Sequence, residues 1–139
     1  MDRRSLLLAS AASLALAPTA SRAEMEKLFY TPGLAEKDMA DGKVILLDFW
    51  ASWCSTCRAQ VRVMDALRAE NPAYDKAIRF ITVDWDAYGD GELAQKLQIP
   101  RRSTLVLLKG EEELGRTVAG TSTEEIKALL DAGLAAAGA

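Results

Sequence analysis

The sequence contains no histidine. Imidazole metal ligands, Ser-His-Asp triads and histidine general bases are therefore excluded together. Only two cysteines are present, Cys54 and Cys57, so thiol chemistry has one possible place. No apolar run approaches the ~18 residues that a spanning helix needs, which excludes a polytopic membrane protein. Aromatic residues are few, three each of Trp, Tyr and Phe, but enough to argue against a disordered chain. What remains is a chain of 139 residues, half apolar, with room for one domain and not two. Its chemistry must come from thiols, carboxylates, amines or hydroxyls.

The first segment reads as an address. Asp2-Arg3-Arg4 precedes an apolar run from Leu6 to Ala17, followed by Pro18 and the small-residue site Ser21-Arg22-Ala23. A positive start, a short apolar stretch and an A-x-A-like site together form an export signal. Residues 1–23 are expected to be removed after Ala23, leaving residues 24–139 as the working domain. The paired arginines resemble a twin-arginine signal, and an ordinary Sec signal fits nearly as well. The protein is thus expected to be exported, to a periplasm, and not to span the membrane after cleavage. Removing Arg3, Arg4 and Arg22 against one acid, Asp2, makes the mature chain more acidic than the −3 of the whole sequence. With no basic stripe visible either, a nucleic-acid partner is not expected. The exported compartment is oxidising, so two cysteines three apart are not idle reduced bystanders.

The mature chain alternates strands and helices. Lys27 to Tyr30 is a short apolar stretch, and Thr31-Pro32 offers an N-cap and a first-turn proline for a helix to about Met39. Val44 to Trp50 is an apolar run broken by one acid, Asp48, as expected of a strand covered on both faces. From Cys54, the residues Val61, Met64 and Leu67 recur at helical spacing up to Asn71-Pro72. Ile78 to Val83 reads as a strand, Glu92 to Leu97 as a short helix, and Thr104 to Leu108 as another strand. Leu114 to Val118 alternates like its hairpin partner. Ser122 and Glu125 have capping-box spacing for a last helix carrying Ile126, Leu129, Leu130 and Leu134 on one face. The predicted order, β-α-β-α-β-α-β-β-α, implies an α/β sandwich with a mixed sheet.

Trp53-Cys54-Ser55-Thr56-Cys57 follows the buried strand and opens the amphipathic helix. Cys54 thereby meets unpaired backbone N–H groups and the positive end of the helix dipole, both of which favour the reactive thiolate. Cys57, one turn deeper, is placed to close a disulfide with it and resolve a mixed disulfide. Two other uses of the pair stay open. A static disulfide over so small a loop contributes little entropy. A metal or iron–sulfur site needs four thiolates, hence Cys54 and Cys57 from each of two chains.

The segment Asp48-Phe49-Trp50-Ala51-Ser52-Trp53-Cys54-Ser55-Thr56-Cys57-Arg58 strongly resembles the active-site segment of the thioredoxin family. The resemblance extends through Val83-Asp84 to Thr104–Lys109 and Val118-Ala119-Gly120. It implies a thioredoxin fold, with a mixed central sheet flanked by helices on both faces, and thiol–disulfide oxidoreductase activity. It further implies that Cys54 attacks, that Cys57 resolves, and that Asp48 relays a proton to and from the deeper thiol. Trp53 matches the aromatic residue flanking the substrate surface. No cofactor beyond a redox-active Cys54–Cys57 disulfide is expected, and the chain is expected to be a monomer. Independently of the resemblance, an acid among Val, Ile, Leu and Phe loses hydration, so its pKa should rise toward the range useful for acid–base work. Trp50 is expected in the core.

Three departures limit the carry-over. Ser55-Thr56 replaces the family's Gly-Pro between the cysteines. Arg62 stands where the family kinks its helix with proline. Ser103 occupies the place of a cis-proline that faces the cysteines, and Pro100, three residues earlier, is a poor substitute. A non-proline cis bond costs ~3–4 kcal/mol, so Ser103 is trans, or cis under strain. Its hydroxyl and N–H are expected to face the thiols. Arg101 and Arg102 add positive charge on the same loop, favouring the Cys54 thiolate and an acidic partner. Trp53, Ser103 and Arg102 are thus the candidate substrate-binding residues.

The function expected is that of a periplasmic reductant of disulfides in exported proteins, kept reduced by a membrane-embedded thiol carrier. The alternative from another class is the two-chain metal or iron–sulfur carrier, which an open Ser103 loop would favour.

Overall fold

The computed structural model describes residues 24–138; the expected export signal, residues 1–23, lies outside them. In chain order the elements are α1 (Leu34–Ala40), β1 (Val44–Trp50), α2 (Ser55–Glu70), α3 (Ala73–Ala77), β2 (Arg79–Asp84), α4 (Trp85–Tyr88), α5 (Glu92–Lys96), β3 (Thr104–Lys109), β4 (Glu112–Val118) and α6 (Thr123–Ala137). The sheet runs β2-β1-β3-β4. Its first pair is parallel and the other two are antiparallel. This is the mixed sheet the alternation predicts. Among the described residues no helix is long and apolar enough to cross a membrane.

β1 is apolar except at Asp48, because both its faces are covered. Ile45, Leu47 and Phe49 pack with Met39, Ile81, Val83, Val106 and Leu108 on the α1 side. Val44 and Leu46 pack on the other side with Val61, Met64, Leu67, Ile126 and Leu130 of α2 and α6. Each such side chain, fully buried, contributes roughly 1.5–3 kcal/mol. Alternation along the strand places Asp48 with Val44 and Leu46, on the α2 face. α2 answers with one buried stripe of Cys57, Gln60, Val61, Met64 and Leu67, and with no proline it runs straight through Arg62.

Several boundaries differ from expectation for identifiable reasons. The predicted leading strand shrinks to one bridge, Phe29 to Thr82 on the edge of β2, because Thr31-Pro32 turns the chain at once. α1 starts after Gly33, not at Thr31. Gly33 takes φ 97°, a left-handed conformation that closes the Thr31 turn before the helix begins. α3 and α4, about one turn each, carry too few residues to show a period. Ser122 caps α6 as expected, accepting from the Glu125 N–H at 3.1 Å.

Candidate active site

The N-cap of α2 is Cys54 itself, in extended conformation at φ −89° and ψ 112°. Its sulfur accepts the Cys57 backbone N–H at 3.1 Å, so one of the helix's unpaired donors is aimed at the thiol. Both cysteines are free, and both are buried, with 3 % and 0 % of their surface exposed. Ala51, Trp50 and Trp85 close around them.

Opposite the pair lies Ser103, fully buried, with its Oγ 3.1 Å from Cys54 Sγ and 3.1 Å from Cys57 Sγ. The hydroxyl faces the thiols as expected. The N–H does not: it donates to the Phe49 carbonyl of β1 at 2.7 Å. Among the described residues no peptide bond is cis, so Ser103 is trans, and it sits at φ 63°. Proline, fixed near −65° and lacking an N–H, does not fit this backbone. The Ser103 carbonyl accepts from Ala119 N–H at 2.8 Å and from Gln60 Nε2 at 2.9 Å, so the loop is held at three points.

These contacts separate the two thiols. Burial alone raises the Cys54 pKa, but hydrogen bonds from Cys57, Ser103, the Cys57 N–H and Arg102 outweigh it and bring the thiol down to about 7. Cys57 moves up instead, through burial and its hydrogen bond to Cys54. Cys54 is thus the sulfur that ionises near neutral pH.

The structure gathers five of the six candidate residues, Cys54, Cys57, Ser103, Trp53 and Arg102, into one site and sets Asp48 apart from them. Trp53 is 55 % exposed, with its indole N–H donating to both Asp86 oxygens at 3.1 and 3.0 Å. The Arg102 guanidinium stacks 4.4 Å above the same ring. Asp48 is buried on the α2 face with Oδ1 lacking any protein partner, and it makes no direct hydrogen bond to either thiol. Burial raises its pKa to about 7; the Lys27 cation opposes the rise, while Cys54 and Asp65 add to it. A cavity of about 300 Å³, lined by Lys27, Asp48, Asp65 and Arg68 among others, connects the acid to the surface. Trp50 is packed against the core, in edge contact with Phe29 and beneath the Lys27 ammonium.

Gln60 and Lys27 escape the reading of the sequence. Gln60 had a visible signal, a polar residue at helical spacing from Cys57 on the apolar stripe of α2, and the structure buries it fully. Lys27 had none, because its approach to Asp48 depends on how the segment before α1 crosses the sheet edge. A four-thiolate metal site shared by two chains fits poorly here, because both sulfurs are enclosed with Ser103 against them.

The family description Thioredoxin matches residues 32–132. Thioredoxin-1 of Saccharomyces cerevisiae is 29 % identical over 71 % of this chain and 89 % of its own length. Thioredoxin of Malassezia sympodialis is 32 % identical over 63 % of this chain and 79 % of its own. Among solved structures, Trxlp from Edwardsiella tarda EIB202 superposes with a TM-score of 0.66 at 27 % identity, covering 76 % of this chain and 98 % of that one. With a mixed four-stranded sheet and a Cys54/Cys57 pair capping the helix after β1, the chain belongs to the thioredoxin family, as a thiol–disulfide oxidoreductase whose redox group is its own cysteine pair.

Proposed function

We propose that the protein reduces disulfides in exported proteins, with Cys54 attacking and Cys57 resolving. The observation that carries the assignment is the place of Cys54 as N-cap of α2, its sulfur accepting the Cys57 N–H at 3.1 Å, with Cys57 one turn deeper and fully buried. The Cys54 thiolate attacks one sulfur of a substrate disulfide; that bond breaks and the first substrate thiolate leaves. Cys57 then loses its proton and attacks Cys54 Sγ. The second substrate thiol departs, and two electrons have passed from the Cys54–Cys57 dithiol to the substrate. Asp48 tunes the proton balance of this second step, since its buried carboxyl holds a proton up to about pH 7. Trp53, Arg102 and the Ser103 loop form the surface on which the substrate segment lies.

The export reading is supported by the arginine pair, apolar run and small-residue site within residues 1–23. In an oxidising compartment the pair needs a source of electrons, and a membrane-embedded thiol carrier supplies it in this reading. The test joins both parts. Cys57→Ser should trap mixed disulfides with exported proteins in the periplasmic fraction, on a chain beginning at Glu24, and Cys54→Ser should trap almost none. Equal trapping by the two variants would overturn the cysteine roles. An unprocessed chain confined to the cytoplasm would overturn the export reading.

A further inference from the structure

The Ser103 hydroxyl touches both sulfurs, 3.1 Å from each, and carries a single proton. When Cys54 is a thiolate, one arrangement satisfies all three groups: the Cys57 S–H donates to Oγ, and the Ser103 O–H donates to the Cys54 sulfur. This is a continuous hydrogen-bonded path from the resolving thiol to the attacking one. Asp48, by contrast, contacts neither sulfur. The hydroxyl is also held in place, because the Ser103 N–H, its carbonyl, Phe49, Ala119 and Gln60 fix the backbone around it.

We propose that Ser103 is a catalytic residue, a proton shuttle that receives the proton of Cys57 and delivers its own toward the sulfur leaving Cys54. In the mixed disulfide, Cys54 Sγ is bonded to the substrate sulfur. As Cys57 Sγ forms its bond to Cys54 Sγ, the bond from Cys54 to the substrate breaks with its electron pair on the substrate sulfur. Ser103 Oγ accepts the Cys57 proton while its original proton passes to that departing sulfur. The serine ends as it began, the substrate leaves as a neutral thiol, and no free base is consumed. The proposal rests on Cys54 attacking and Cys57 resolving, and gives the proton of that step a route.

The test removes the hydroxyl without disturbing its backbone. Ser103→Gly suits φ 63° and keeps both the N–H and the carbonyl; Ser103→Ala serves as a second variant. A dansyl-labelled peptide disulfide is mixed with reduced protein, and acid-quenched samples are read by mass for the Cys54 mixed disulfide. The mixed disulfide should accumulate in both variants, with its resolution slowed roughly tenfold or more, as expected when a positioned proton carrier is lost. The solvent deuterium isotope effect on resolution, normal in the wild type, should disappear. Resolution at the wild-type rate in a folded Ser103→Gly, or an isotope effect that survives the substitution, would overturn the shuttle. Failure of the underlying cysteine roles looks different: the peptide would then be found on Cys57.

Discussion

Gln60 holds Ser103 from behind: its Nε2 donates to the Ser103 carbonyl at 2.9 Å and to the Gly120 carbonyl at 3.0 Å. One side chain of α2 thus ties together the loop facing the cysteines and the loop after β4. Ser103 and Ala119 both occupy left-handed backbone, at φ 63° and 60°, and are joined by the Ala119 N–H. Two strained residues side by side persist only where their surroundings hold them.

Gln60→Leu should therefore act at a distance from its own position. It leaves the Gly120 carbonyl without this donor and removes one of the two donors to Ser103, with an expected loss of about 1–3 kcal/mol in urea unfolding. The more telling change is in the thiol. With Ser103 loosened, the Cys54 titration, followed by thiolate absorbance, should move up toward that of an ordinary cysteine. A Cys54 titration that stays in place while stability falls would confine Gln60 to a structural role.

What the sequence made legible follows from how strongly each feature repeats. β1 and α2 are long, and their apolar patterns report burial on two faces and on one stripe; the cysteine pair at their junction could be placed without coordinates. Phe29 to Thr82, one bridge long, could not be told from a strand. Ser103 stands out by its identity, but the direction of its N–H depends on a φ that no neighbouring residue announces. Asp48 was legible as a buried acid in an apolar run, whereas its distance from the thiols and its approach by Lys27 are products of packing.

The arginines around the site differ from those elsewhere. Arg68, Arg79 and Arg116 each join an ion pair. Among the described residues Arg58, Arg62, Arg101 and Arg102 join none, and Arg102 lies over Trp53 beside Cys54. Arg58, next to Cys57 in the chain, and Arg102 thus bring positive charge to the site, set against the Asp86 carboxylate that accepts from the Trp53 indole. Two peptide disulfides, one flanked by Glu and one by Lys, should be reduced with kcat/KM values differing by about tenfold in favour of the acidic one at low salt. The ratio should approach unity at high ionic strength. Arg58→Gln combined with Arg102→Gln should flatten it as well. Because a change in Cys54 acidity affects both peptides alike, the ratio isolates the surface charge; equal rates at low salt would count against it.

Asp48 links the redox site to stability. Its carboxyl titrates at about 7 in the folded protein, chiefly because it is buried, against an ordinary value of 3.8. Between these values the native state holds a proton that the unfolded chain has already released. The contribution of Asp48 to stability is therefore fully present below about pH 4 and is lost as pH rises through 7, by on the order of 4 kcal/mol in total. Asp48→Asn removes the titration. It should raise the unfolding free energy from urea titration at pH 8 by an amount approaching that figure and leave it nearly unchanged at pH 4. The same variant should shift the pH–rate profile of disulfide reduction. Lys27 supplies the opposing charge: its ammonium pairs with Glu24 at 3.0 Å, sits over Trp50 and shares the cavity with Asp48. Lys27→Met should raise the Asp48 titration by about half a pH unit, as expected for one partly screened charge, and Lys27→Arg should restore it. Carboxyl carbon NMR reads that midpoint directly. Stability curves of wild type and Asp48→Asn that run parallel from pH 4 to 8 would mean that Asp48 does not titrate in this range.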